Sequence, residues 1–121
     1  MNYKRGDLVI VPFPFVKNSG EQKQKARPAM IISNHNINRR YSDIILAGIT
    51  SRVPEQLTKT ELILESNEST GLAKRSVLRL DYLMTLPVSI ISRKIGNLNS
   101  GKIKVVNEKL SLSLGMSKKE D

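Results

Sequence analysis

Three places in the chain combine a reactive side chain with a neighbour able to hold it still. Arg27 stands directly before Pro28. The proline ring fixes its own φ and restricts the preceding residue to extended backbone, so a planar guanidinium is aimed from a rigid strand start. Paired guanidinium donors match the geometry of a phosphate. Thr50 and Ser51 follow the apolar run Ile44–Ile49. Hydroxyls at a strand mouth can bind a phosphate oxygen, and equally can bond the turn backbone. Arg79 and Asp81, two residues apart, project a cation and a carboxylate from one face of a strand. The plain alternative for that pair is an exposed ion pair worth little. The single histidine, His35, lies in Ser33-Asn34-His35-Asn36 and reads as a surface side chain in a turn.

This set suits one reaction, RNA cleavage by the substrate's own 2′-hydroxyl. The RNA supplies the nucleophile. The protein then needs a base near that hydroxyl, cations around the phosphorus and an acid for the leaving 5′-oxygen. Other chemistries fall away. With no cysteine there is no disulfide, zinc thiolate, iron–sulfur cluster or thiol nucleophile, and one histidine builds neither a zinc site nor a convincing Ser–His–Asp triad. No metal or other cofactor is expected. The chain of 121 residues carries 20 Lys and Arg against 11 Asp and Glu, net +9, with a pI near 10.0. Residues 1–60 hold ten basic and four acidic side chains, residues 61–121 ten and seven, so the excess is larger in the first half. A polyanionic partner is the natural reading. No apolar run approaches a membrane span, and no cleavable leader is evident; a cytoplasmic protein with no membrane partner is the default expectation.

The elements that must position these residues are short. Leu8–Val11 reads as a buried strand, and Pro12 and Pro14 require it to end there or run at an edge. Residues 16–27, polar and basic, read as a long flexible hairpin loop carrying Lys17, Lys23, Lys25 and Arg27. Ala29–Ile32 is a second buried run and Ile44–Ile49 the central strand. Thr60–Glu65 reads as a half-exposed strand, Ser66–Gly71 as a loop and Ser76–Asp81 as a strand with Leu78 and Leu80 on one face. Val88–Ile95 is apolar with Arg93 and Lys94 at its end. Ile103, Val106, Leu110 and Leu114 fall on one helical face, with Asn99 or Ser100 capping the start and Gly115 the end. The expectation is a mainly β single domain over residues 1–116, a small barrel of five or six short, mostly antiparallel strands followed by a C-terminal helix that covers a sheet face or helps a subunit contact, with a frayed tail at 117–121.

From Tyr3 to about Met116 the order of motifs resembles the MazF/PemK/Kid toxins of bacterial toxin–antitoxin modules. The pieces are Lys4-Arg5-Gly6-Asp7-Leu8-Val9-Ile10-Val11, Gly20-Glu21-Gln22, Ala26-Arg27-Pro28-Ala29-Met30-Ile31-Ile32-Ser33-Asn34, Gly48-Ile49-Thr50-Ser51, Ser76-Val77-Leu78-Arg79-Leu80-Asp81 with Thr85-Leu86, and Ile95-Gly96-Asn97-Leu98. The resemblance implies an SH3-like barrel of the CcdB/Kid/PemK type, of five to seven strands. It also implies a homodimer and metal-independent, sequence-specific cleavage of single-stranded RNA to 2′,3′-cyclic phosphate and 5′-hydroxyl ends. A cognate antitoxin would inhibit by laying an acidic segment over the RNA groove. The family's loop-end Arg falls on Arg27, its strand-end Thr on Thr50, the Arg and Asp of the Kid and PemK branch on Arg79 and Asp81, and its first-loop Glu on Glu21. RNA contacts are expected from Lys17, Gln22, Lys23, Lys25, Ser51 and Arg52. Asp81 and Glu21 are better bases than Arg27, whose proton is hardly ever released; the assignment of base and acid stays open. The chain departs from the pattern at Gly20, where the Kid branch has His, and at Met84, where many members have Arg. A non-catalytic nucleic-acid- or protein-binding module and a CcdB-like gyrase poison are the alternative readings.

Overall fold

The structure, a computed structural model, describes residues 3–16 and 22–116; for residues 13–16 and 22–24 it describes the backbone alone. The apolar runs become strands: β1 (Asp7–Val16), β2 (Gln22–Ile31), β3 (Asp43–Thr50), β4 (Glu61–Leu64), β5 (Ser76–Pro87) and β6 (Arg93–Asn97), followed by helix α1 (Ser100–Ser113). All neighbouring strands pair antiparallel, in the order β4-β5-β3-β2-β1-β6. The expected mainly β fold with a C-terminal helix is therefore present, as a curled six-stranded half-barrel. Its two edge strands meet through the loop after β4, where the Asn97 amide donates to the Ser69 carbonyl at 2.9 Å.

Each face of the sheet buries its own apolar set. One holds Leu8, Met30, Ala47, Ile49, Leu78 and Leu80 and is covered by α1 through Val106, with Ile103 and Leu110 beside it. The other holds Val9, Val11, Ala29, Ile31, Ile44 and Leu46, closed by Ile91 and by Tyr3, Met84, Leu86, Val88 and Ile90. Strand alternation assigns neighbouring residues of one strand to opposite cores. The Asn99 side chain caps α1 by accepting from the Lys102 amide at 2.9 Å, and Gly115 follows the helix with φ +71°. Leu114, expected on the buried face, is 54% exposed because it lies just past the last helical turn.

Two expectations change, and for the prolines the edge alternative holds. The supposed loop 16–27 is largely strand: β1 and β2 stay in register from Leu8↔Met30 to Val16↔Gln22. Its polar residues hid this, since a ribbon wet on its surface needs no apolar alternation. Lys17 and Glu21 lie outside the described residues. Pro12 and Pro14 do not end β1; β6 pairs with β1 only as far as Ile10, so the prolines sit where β1 is an edge. Finally, β5 runs on to Pro87 through a bulge. Gly48 pairs with Arg79 while the adjacent Ala47 pairs with Leu83, so Leu80, Asp81 and Tyr82 are extra residues on β5. The Val88–Ile95 stretch divides into a 3-10 turn, Val88–Ile90, and β6. The opening Arg5-Gly6-Asp7 is structural. The Arg5 side chain donates through Nε to the Ile32 carbonyl at 2.9 Å, and its amide donates to His35 Nδ1 at 3.0 Å. Burial lowers the Arg5 pKa from its ordinary value. The buried Asp7 carboxylate accepts from the Lys4 amide and pairs with Lys94.

Candidate active site and RNA interface

The registers place Arg27, Thr50 and Arg79 on one face, the one away from α1. Ala29 pairs with Gly48, Gly48 with Arg79 and Arg79 with Glu61 across four strands; one step along, Thr50 pairs with Val77 and Val77 with Ile63. The ladder between β2 and β3 stops at Ala29, but the same register carried two residues further sets Arg27 beside Thr50. Lys25 and Arg27 alternate along β2 and so share that face. With strands about 4.8 Å apart and about 3.4 Å per residue, the Arg27 and Arg79 backbones lie roughly 12 Å apart, with Thr50 and Gly48 between them.

At the Arg27 end is a cleft of about 220 Å³ lined by Lys25, Arg27, Pro28, Ser51, Lys74 and Ser76, among others. Three cations and two hydroxyl-bearing residues thus border a space with room for a phosphate and more of a strand. Arg27 is half-buried and Lys25 exposed. Thr50 ends β3, and its Oγ1 accepts from the Arg52 amide at 3.2 Å. That contact sets the hydroxyl oxygen and leaves its proton to donate elsewhere. Ser51 lines the cleft; Arg52 is exposed in the turn beyond. Gln22 and Lys23 begin β2, with backbone alone described.

At the other end, Arg79 grips Asp81 with two bonds, Nε to Oδ1 at 3.3 Å and one terminal nitrogen to Oδ2 at 3.2 Å. Both side chains are about 40% exposed. The guanidinium carbon lies 5.2 Å from the centre of the Tyr82 ring. Asp81 is thus held by Arg79 through both carboxylate oxygens. The expected site divides into a cationic cleft at the Arg27 end of the sheet, which Ile49 and Leu72 of the helix-side core also line, and a clamped ion pair further along.

Sequence reasoning missed Lys74 and Tyr82. Lys74 was legible as half of the basic pair Lys74-Arg75 just before β5. Only the bulge of β5 turns Tyr82 onto this face. His35, exposed as expected, serves as an acceptor for the Arg5 amide. Among the described residues no group of three or more His, Cys, Asp or Glu could hold a metal ion.

Residues 4–114 match the family model for the PemK-like, MazF-like toxin of type II toxin–antitoxin systems. The chain is 30% identical over 113 residues to an endoribonuclease MazF of Staphylococcus saprophyticus, covering 93% of this chain and 92% of the relative. Its fold is similar to a mycobacterial endoribonuclease solved in complex with its cognate antitoxin, with a TM-score of 0.74 at 19% identity over 95% of this chain and 97% of the other. It is likewise similar to a chain of a MazE–MazF structure from Deinococcus radiodurans, with a TM-score of 0.70 at 22% identity over 95% and 97%.

Proposed function

The chain belongs to the PemK-like, MazF-like toxins of type II toxin–antitoxin systems, and from that premise we propose that it is an endoribonuclease that cuts single-stranded messenger RNA through the RNA's own 2′-hydroxyl. The observation that carries the reading is the cleft lined by Lys25, Arg27, Lys74 and Ser51, at the end of β3 that Thr50 closes. The scissile phosphate sits there. Attack of the 2′-oxygen on phosphorus forms one P–O bond and breaks the bond to the 5′-oxygen, leaving a 2′,3′-cyclic phosphate and a 5′-hydroxyl. Charge grows on the non-bridging oxygens as this happens. Arg27 donates to them from its restrained strand position, Thr50 adds a hydroxyl donor, and Lys25 and Lys74 neutralise what remains. A base takes the 2′-hydroxyl proton and an acid protonates the 5′-oxygen. Glu21 and Arg27 are the residues from which that pair is drawn, with Asp81 engaged by Arg79.

The Arg79–Asp81 clamp, roughly 12 Å away on the same face, binds a neighbouring phosphate and holds the strand across the sheet. Residues 1–116 act as one domain. The same cationic face receives a cognate antitoxin through an acidic segment, two copies of the chain pair to form a continuous track, and the protein works where messenger RNA is translated, in the cytoplasm. No helix among the described residues is long and apolar enough to cross a membrane.

The test is incubation of the purified protein with single-stranded RNA in EDTA, beside the same RNA carrying one 2′-deoxy sugar 5′ of the cut bond. Cleavage in EDTA with cyclic-phosphate ends, abolished at the deoxy position alone, is the expected result. Cutting at an unchanged rate through the deoxy sugar, or no cutting of any RNA, overturns the proposal.

A further inference from the structure

Gly48 sits in the middle of β3, where a side chain would ordinarily strengthen the strand. Its backbone needs no glycine for its φ, which is not in the left-handed region. The reason for its identity is space. A Cβ at this position would stand 2.7 Å from Tyr82 Cδ2 and 3.2 Å from Cε2, so the ring edge lies directly on the glycine. The bulge in β5 makes this seat: with Gly48 pairing Arg79 and Ala47 pairing Leu83, the three extra residues turn Tyr82 back over β3. The seated ring then meets the Arg79 guanidinium, 5.2 Å from ring centre to Cζ. Asp81, the residue between, takes two of the five guanidinium N–H groups.

We infer that Tyr82, seated on Gly48, is a positioning residue that fixes the Arg79 guanidinium so that its remaining N–H groups face an RNA phosphate. This rests on the nuclease reading above and adds to it a residue that touches no reacting atom. An Arg–Asp pair that is about 40% exposed samples many geometries on its own. A ring beneath it removes one class of motion and Asp81 removes another, so less conformational freedom is lost when the phosphate arrives. Because Arg79 stands roughly 12 Å from the cleft of Arg27, the gain is in binding the strand and not in the chemical step.

The experiment compares Tyr82→Phe, Tyr82→Leu and Gly48→Ala, alone and with Arg79→Ala, using a defined single-stranded RNA. Tyr82→Leu should raise KM by about 3- to 30-fold, the scale of a lost cation–π contact with its attendant disorder, with kcat nearly unchanged. Tyr82→Phe should restore KM, since the ring and not the hydroxyl does the positioning. In the Arg79→Ala background, Tyr82→Leu should have no further effect. A second readout needs no substrate: the Arg79 side-chain Nε–H resonance, shifted by the ring current in the parent protein and in Tyr82→Phe, should move towards its free position in Tyr82→Leu and in Gly48→Ala. Equal KM effects with and without Arg79, or an Arg79 resonance indifferent to Tyr82→Leu, overturn the inference. Absence of RNA cleavage by the parent protein would instead overturn the nuclease reading, and the resonance would still decide the positioning role.

Discussion

The two faces of the sheet are built from the same strands and do different work. The face under α1 is apolar where the helix covers it: Met30, Ala47, Leu78, Leu80 and Val106 are fully buried. The opposite face changes character along its length. Near Val9, Ile31, Ile44 and Leu46 it is a second core; one or two turns of the side-chain alternation further along β2, β3 and β5 it carries Arg27, Thr50 and Arg79. The site is thus an exposed continuation of a packed layer, and its backbone is held from behind by the helix-side core. Stability and function should separate by face.

The sharpest break of that comparison is Leu78→Ala. Leu78 is fully buried against the helix-side core, and its truncation should cost about 2–5 kcal/mol, read as a drop in the denaturation midpoint. RNA cleavage per folded molecule should stay near the parent value, because Leu78 points away from the site. A large loss of activity in protein that is still folded would show that the faces are coupled.

Arg27→Ala inverts the pattern. Loss of one preorganised donor should lower kcat about 10²–10³-fold with little change in the thermal midpoint. Arg27→Lys should recover little, because the planar fork is lost. Full activity in either variant would remove Arg27 from the site.

Smaller again is the effect of thinning the cationic rim. Lys25→Ala and Lys74→Ala should each reduce the magnitude of the salt slope of RNA binding by about 0.7, one phosphate contact on a single strand. An acidic antitoxin peptide titrated against the same variants should weaken in parallel. RNA affinity falling while peptide affinity holds would place the inhibitor on another surface.

What the sequence disclosed follows the same division. The core residues announced themselves through burial: Ile44–Ile49 as a central strand, the alternation of Leu78 and Leu80, and the stripe of Ile103, Val106 and Leu110 all come from apolar runs and periodicity, which packing enforces. The site was legible in part, through Pro28 fixing Arg27 and the i, i+2 spacing of Arg79 and Asp81. Two features were hidden. The segment Gln22–Arg27 has no apolar pattern, so its pairing with β1 left no trace in composition. The bulge at Leu80–Tyr82 is a tertiary choice set by the room above Gly48, and without it nothing marks Tyr82 as a neighbour of Arg79.

The smallest expected effect isolates what position adds to an ion pair. Arg75 pairs with Glu65 at 3.2 Å, the same distance as the closer Arg79–Asp81 contact. The residues are of the same kind and only four positions separate the two arginines. Yet Arg75 and Glu65 are 57% and 60% exposed and joined by a single bond through Nε. Arg79 is bound twice by Asp81 and lies against the Tyr82 ring. A single exposed pair is screened by solvent and loses side-chain entropy when it forms, so Arg75→Ala should change stability by less than about 0.5 kcal/mol. KM for RNA should remain within about 2-fold of the parent, well below the ~0.8 kcal/mol that a 4-fold change would represent. Arg79→Ala, measured beside it, should leave the midpoint equally undisturbed and raise KM. If Arg75→Ala raised KM as much as Arg79→Ala, basic charge near β5 would be enough and the clamped geometry would count for nothing. If neither did, the strand would cross the sheet elsewhere than over Arg79.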